Sequence, residues 1–376
     1  MPRSASRTVL LVALGAFVLC TVLVTAAARS SPEAYSPAQR AWPDAPTLRG
    51  WVRFDSGWYA DIATGGYFYS PGRMSPVAFF PAYPLAIRGL GLLGVDAFLA
   101  GVVLAAVCGL LALVLFTRWA RLRAGDDAAR DAGLLLALYP FAYYLYGAMY
   151  ADALFLLLVV GAFFLLERGQ LLLAVLLAAV ATAARPVAPA LVFGLLVRRL
   201  EWKHERGLRW EVRDALTLLA GLGFALYMLY LWRAFGEPLA FVKVQSAPGW
   251  DQMPGWRTWL KVHWFQGFSR QMDVSDGLRL VGHAAITLGA LALVWPTARR
   301  LGWGYGAYCL AIVGLPTLSS KDFMGMGRYL LAAFPLFLTL ALLLRERPRL
   351  RWGLLAASSA LLLLLATAYG SGAYVS

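Results

Sequence analysis

Apolar runs follow one another along almost the whole chain, separated by short turns that hold most of its charge. A helix needs about 20 apolar residues to cross a hydrocarbon core of about 30 Å. By that rule the pattern predicts spans near 8–28, 96–117, 131–147, 152–167, 170–184, 187–198, 214–234, 278–296, 302–318, 329–344 and 353–370, about eleven crossings. Several runs, those within 152–198 above all, are short, so a merged or re-entrant pair there changes the count without changing sides. The expected architecture is an all-α integral membrane protein, a single polytopic domain over 1–376.

Basic residues then fix the orientation. With the N-terminus inside, Arg3 and Arg7, the group from Arg118 to Arg130, the group from Arg198 to Arg213, Arg299 with Arg300, and the group from Arg345 to Arg351 all fall in inner turns. This is the positive-inside bias of cytoplasmic loops, and it accounts for the net charge of +14 without a nucleic-acid partner. These inner turns are charged but poor in aromatics and glycines, which reads as solvated anchors. The opening stretch, with Arg3 and Arg7 before an apolar run and Ala26-Ala27-Ala28 after it, mimics a secretory signal. Its apolar run exceeds the usual core of about 7 to 15 residues, so it is read as a retained first helix.

Composition agrees: 60% of residues are hydrophobic and 14% charged, against about a quarter charged in soluble domains. Cys20, Cys108 and Cys309 all sit in apolar spans without metal-like spacing. No CxxC, HExxH or Walker pattern occurs, so redox, zinc-hydrolase and nucleotide-triphosphate chemistry have no support.

The outer polar residues collect in a first loop over 29–95, a second over 236–277, and short turns near 148–151, 185–186 and 319–328. Pro32, Pro37, Pro43 and Pro46 keep the first loop from starting as a helix. From Leu48 to Ile62 the pattern is amphipathic, and Asp55, Tyr59 and Ile62 share a face, which predicts one helix lying along the membrane surface. Asp55 could stay wet, pair with Arg53, or face a cavity; Trp51, Trp58 and Tyr59 could form an interfacial belt or line a site. Asp152, close to lipid, reads either as a helix N-cap or as an acid aimed at a cavity. Arg185, Lys321 and Arg328 suit a phosphate, and equally lipid headgroups. The second loop, with Trp250, Trp256, Trp259 and Trp264, is rich in rings that stack on sugars and also float at interfaces.

These segments resemble a known family. The run Phe54-Asp55-Ser56-Gly57-Trp58-Tyr59, with Ile62-Ala63, Gly65-Gly66-Tyr67 and Phe79-Phe80-Pro81-Ala82-Tyr83-Pro84-Leu85, is similar to the first outer loop of the PIG-V-like mannosyltransferases. Tyr150-Ala151-Asp152-Ala153-Leu154-Phe155 resembles that family's Tyr-x-Glu-Ser-Leu-Phe, and Ala181-Thr182-Ala183-Ala184-Arg185 its Ala-Thr-x-x-Arg. Arg328-Tyr329 with Phe334-Pro335-Leu336 is similar to a late arginine motif. The match runs in order from about residue 51 to 337. Two departures stand out: Phe54 in place of Trp, and Asp152 in place of Glu.

The resemblance implies a GT-C type multi-span fold and transfer of mannose from a polyprenyl-phosphate carrier to an extracytoplasmic hydroxyl of a glycolipid or glycan. It implies Asp55 as general base, with Arg328, Lys321 and Arg185 facing the departing phosphate and Asp152, Trp58, Tyr59 and Tyr83 lining the substrate site. The scheme calls for no metal or other cofactor beyond the lipid-linked co-substrate. The implied location is a bacterial cell membrane, with the site on the outer face. Alternatives are a lipid or sugar transporter, for which an inverted repeat is expected and none is visible, or the same chemistry on another lipid-linked sugar.

Overall fold

The computed structural model describes residues 5–252, 255–267 and 274–375; Arg3 lies outside them. No strand occurs among the described residues. Helix α1 (Ala5–Ser30) is followed by three short helices of the first loop, α2 (Pro46–Trp51), α3 (Ser56–Gly65) and α4 (Ala82–Gly91). Next come α5 (Ala97–Ala137), α6 (Asp152–Glu167), α7 (Leu171–Thr182), α8 (Ala188–Glu205) and α9 (Leu222–Phe235). The second loop carries α10 (Ala240–Lys243), α11 (Trp256–Trp259) and α12 (Val262–Gly267). The chain closes with α13 (Val274–Leu301), α14 (Trp303–Ser319), α15 (Met326–Tyr329), α16 (Pro335–Leu343) and α17 (Pro348–Gly370).

The expected apolar runs fall largely on helix, yet among the described residues only five helical segments are long and apolar enough to cross a membrane alone. A sixth is possible if Met326–Ala332 and Pro335–Leu343, bent by 89° to each other, form one broken span. The count of eleven therefore does not carry over. The expected run near 96–117 and the start of that near 131–147 are joined in α5, kinked at Gly125, whose φ of 81° only glycine adopts readily; the rest of the second run is turns around a short 3-10 segment, Ala142–Leu145. Helices α6 and α7 have 16 and 12 residues, too short to span by length alone at about 1.5 Å per residue. Helix α6 is packed inside the bundle between α5 and α7, whereas α7 leaves Leu172, Leu173, Leu176 and Val180 exposed on one face; α8 pairs with α14, and α1 is flanked by α5 and α17.

The basic turns expected on the inner side are not simply solvated anchors. Arg198 is fully buried and binds Glu167, Glu201 and Glu205; Arg123 reaches Glu167 at 3.2 Å. The Tyr305 hydroxyl donates to Glu167 at 2.8 Å and accepts from the Trp119 indole at 2.8 Å. Arg199 and Lys203 share Asp214, each at 2.7 Å. Charge counts along a sequence do not reveal that acids from α6 and α8 fold onto these cations. A buried charge is tolerated only when paired and hydrogen-bonded, and here it is.

The first loop departs from the single helix expected over Leu48–Ile62. It breaks at 52–55, where Val52 is extended and Phe54 has φ 50°. The break is held by contacts distant in sequence. The Ser36 hydroxyl donates to the Val52 carbonyl at 2.7 Å, and the Trp51 carbonyl accepts from Met149 N–H at 3.1 Å and Tyr369 O–H at 3.2 Å. The Arg53 guanidinium, fully buried, donates to the carbonyls of Ala34, Tyr35 and Gly370. Arg53 is thus engaged with backbone and not with Asp55. Left-handed backbone at a bulky residue is strained and persists only where the surroundings enforce it; the rings of Tyr369 and Tyr374, 5.9 and 5.0 Å away, pack against Phe54.

Candidate active site

The break puts Asp55 at the head of α3 instead of in a helix middle. It occupies the N-cap position, yet its carboxylate makes no capping hydrogen bond. Ser56 takes over the local bonding, accepting from Arg53 N–H at 3.2 Å and donating to the Met149 carbonyl at 3.1 Å. Asp55 N–H donates to the Tyr150 hydroxyl at 3.2 Å. The carboxylate is left to project from a rigid turn, its side chain 26% exposed.

Asp152 starts α6, but Ala151 holds the cap position, so the N-cap reading of Asp152 does not apply. Its carboxylate pairs with Arg185, whose side chain leaves the turn between α7 and α8 and lies over the rings of Tyr329 at 4.7 Å and Phe155 at 5.8 Å. Both aspartates sit at helix N-termini, where the helix dipole favours negative charge.

Arg328, on α15, joins the two acids. Its Nη1 is 3.8 Å from Asp55 Oδ2 and its Nε 3.9 Å from Asp152 Oδ2. Tyr144, Tyr150 and Tyr329 surround the guanidinium at 5.4, 4.8 and 5.2 Å. Arg328 is 8% exposed, and its Nε has no hydrogen-bond partner. Those carboxylate distances are too long for hydrogen bonds. A buried guanidinium with an unused donor is costly by itself, and it is what an anionic ligand would complete.

Burial pushes the Asp55 carboxyl above the usual carboxylate range; Arg328 opposes this and Asp152 adds to it. A carboxylate raised in this way is a better proton acceptor near neutral pH than an ordinary surface aspartate.

Beside these charges stands an aromatic wall. Trp58 stacks on Phe79 at 6.0 Å, and Trp250 of the second loop meets both rings, at 6.2 and 5.9 Å. Tyr59 is buried edge-on to Phe79, Tyr83 and Tyr150. Tyr83 lies beneath it, its hydroxyl donating to the Gly101 carbonyl at 2.7 Å, so it supports the wall instead of facing the charges. Asp61 is exposed on another face of α3.

Of the sequence-derived residues, Asp55, Asp152, Arg185, Arg328, Trp58 and Tyr59 converge here. Lys321 does not join them: its backbone N–H donates to the Gln252 side chain at 2.7 Å, and its ammonium forms no ion pair among the described residues. Lys261 is the amine that ties this stretch together, donating to the carbonyls of Thr317 and Ser320 and lying 5.3 Å from the Phe323 ring. Burial lowers its pKa to about 8. Sequence reading missed Lys261 and the role of Tyr144 and Tyr150 around Arg328. The tyrosine run over 143–150 was the available signal for the latter.

A family model described as Mannosyltransferase (PIG-V) matches residues 7–200, just over half of the chain, including Asp55, Asp152 and Arg185. No curated protein matches the chain. Among solved structures, ArnT from Cupriavidus metallidurans bound to undecaprenyl phosphate is similar at 18% identity and TM-score 0.53, over 82% of this chain and 58% of that one. The Archaeoglobus fulgidus oligosaccharyltransferase in the apo form aligns at 13% identity and TM-score 0.46, over 97% of this chain and 56% of that one. The ArnT likeness shows a common GT-C fold, and this chain spans little more than half the length of either protein.

Proposed function

The chain belongs to the PIG-V mannosyltransferase family, and from that premise we propose that it moves mannose from a polyprenyl-phosphate-mannose donor to a hydroxyl of an extracytoplasmic glycolipid or glycan. The observation that carries this reading is the meeting of Asp55, at the head of a rigid turn, with a buried Arg328 whose guanidinium has an unused donor. A base and a phosphate-binding cation stand side by side.

A sugar hydroxyl attacks poorly while it keeps its proton. The Asp55 carboxylate takes that proton as the acceptor oxygen bonds to the anomeric carbon, while the bond from that carbon to the phosphate oxygen breaks. Displacement from the opposite face inverts the configuration, so a β-linked donor yields an α-mannoside. The electron pair leaves with the polyprenyl phosphate, which gains a negative charge. Arg328 would meet that charge, and a fixed cation facing developing charge is a large source of electrostatic stabilisation. Arg185, neutralised by Asp152, holds the second acid in place and adds a further guanidinium at the phosphate end. The aromatic wall of Trp58, Phe79 and Trp250 suits the faces of a sugar.

The donor class draws support from the family and from the undecaprenyl phosphate bound to ArnT. The ion-pair network around Glu167 sits at the far end of α6 from Asp152, about 22 Å away at 1.5 Å per residue. That separation fits a chemical site on the outer face and a basic rim on the cytoplasmic face of a bacterial cell membrane. The transporter alternative lacks a comparable feature, whereas another lipid-linked sugar would use the same groups.

The test is transfer of label from radiolabelled polyprenyl-phosphate-mannose to a membrane lipid extract by the protein in nanodiscs, wild type against Asp55→Asn. Transfer lost in the variant with donor binding kept is the expected result. Transfer that survives would move the base elsewhere, and failure of the wild type to bind the donor would overturn the reading.

A further inference from the structure

His283 lies within an apolar helix, α13, and is 4% exposed. An ionisable side chain in such a span is costly unless it has a partner and a task. Its partner is the backbone of Gly327, whose N–H donates to His283 Nδ1 at 3.4 Å. On the other side of the same residue, the Gly327 carbonyl accepts from the Tyr139 hydroxyl at 3.0 Å. That carbonyl carbon is bonded to the nitrogen of Arg328. Two successive peptide groups leading into Arg328 are therefore held from opposite sides, by α13 and by the segment that follows α5.

Packing closes the remaining freedom. The ring of Phe141 lies 5.5 Å from His283 and 5.8 Å from Tyr139. A Cβ on Gly327 would stand 2.3 Å from two of the Phe141 ring carbons, a distance no side chain tolerates. Glycine is needed here for close approach. With Nδ1 accepting, the imidazole carries its proton on Nε2, the neutral tautomer.

The geometry points to His283 as a positioning residue for Arg328: its Nδ1, with the Tyr139 hydroxyl, sets where the guanidinium stands between Asp55 and Asp152. This rests on the reading of Arg328 as the cation facing the donor phosphate. It touches no substrate, and its effect passes through the backbone.

Nanodisc-embedded full-length protein is assayed with radiolabelled polyprenyl-phosphate-mannose as His283→Asn, His283→Phe and Tyr139→Phe, with Arg328→Gln as control. An asparagine places an acceptor oxygen near the Nδ1 position; phenylalanine fills the volume without one. His283→Phe is expected to lower kcat by about tenfold or more, since displacements of about 1 Å in an active group cost up to a hundredfold. His283→Asn is expected to stay near wild type, and Tyr139→Phe to lose activity without adding to the effect of His283→Phe. Equal activity of His283→Phe and wild type, or equal loss in the Asn and Phe variants, overturns the inference while an inactive Arg328→Gln leaves the function intact. A fully active Arg328→Gln would instead overturn the function reading. If His283→Phe does not fold, Tyr139→Phe decides: unchanged transfer there also overturns the inference.

Discussion

Arg328 Nη1 stands 3.8 Å from Asp55 Oδ2, in electrostatic contact but outside hydrogen-bond range. The pair is close enough for the cation to tune the acid, and loose enough for both to engage a substrate. A tight, bidentate pair would have satisfied Arg328 and withdrawn Asp55 from proton transfer.

The first consequence concerns pH. Burial raises the folded-state pKa of Asp55 above its unfolded value, and the proposed reaction needs its base form. Activity should therefore fall, as pH is lowered, at a higher pH than an ordinary aspartate with a pKa of about 3.9 would give. Drawing the opposing cation away from Asp55 with Arg328→Lys, which keeps the charge on a shorter side chain, should move this acid limb to still higher pH. A profile of kcat/KM from about pH 4 to 8 reads both effects; an acid limb at the usual aspartate value would exclude Asp55 as the raised base.

The same shift has a stability consequence of opposite sense. Between the unfolded and the raised folded pKa, the native carboxyl holds more protons than the unfolded chain, so stability declines as pH rises through that window and remains lower above it. Asp55→Asn removes this burden. The inactive variant should therefore melt at or above the wild-type temperature at neutral pH, measured by thermal unfolding in detergent. A clear drop would mean that the carboxylate stabilises the fold.

The buried pair of Asp152 and Arg185 should behave differently. Removing one partner of a buried pair typically costs about 3–5 kcal/mol, because the other charge is left uncompensated. Arg185→Gln should destabilise by less than Asp152→Asn, since Arg328 stands 3.9 Å from Asp152 and can partly replace the lost cation, whereas among the described residues Arg185 forms an ion pair with Asp152 alone. The double variant Asp152→Asn with Arg185→Gln should recover stability relative to Asp152→Asn without recovering transfer. A double-mutant cycle on melting temperature separates the two roles.

Much of this was legible in the chain. Hydropathy placed the helical runs, and the motif around Asp55, with Tyr150-Ala151-Asp152 and Arg185, gathered side chains that meet in space from positions 55, 152, 185 and 328. Two things were not legible, for one reason. The break at 52–55 follows from Arg53 reaching carbonyls at Ala34, Tyr35 and Gly370, and the burial of Arg198 follows from acids on α6 and α8. Periodicity reports which residues lie on one face of one helix; it is blind to partners far along the chain. Lys321 shows the converse, since a cation in the right turn by sequence forms no ion pair with the charge cluster among the described residues while Lys261, far away in sequence, holds that turn.

The Arg198 network offers the sharpest contrast with the cluster of Asp55, Asp152, Arg185 and Arg328. Arg198 is fully buried and supports three carboxylates, with Glu167 also bound by Arg123 and Tyr305. Arg198→Met keeps the volume but leaves Glu201 and much of Glu167 without a counter-charge, and should destabilise by about 3–5 kcal/mol. Glu167 lies about 22 Å along α6 from Asp152 by helical rise, so the groups that would carry transfer are untouched. The expected outcome is a lower melting temperature and less folded protein, with transfer per folded molecule at the wild-type level when normalised by size-exclusion of the monodisperse fraction. If activity per folded molecule fell as well, α6 would be transmitting the state of its basic end to Asp152, and the two ends of the bundle could no longer be treated as independent.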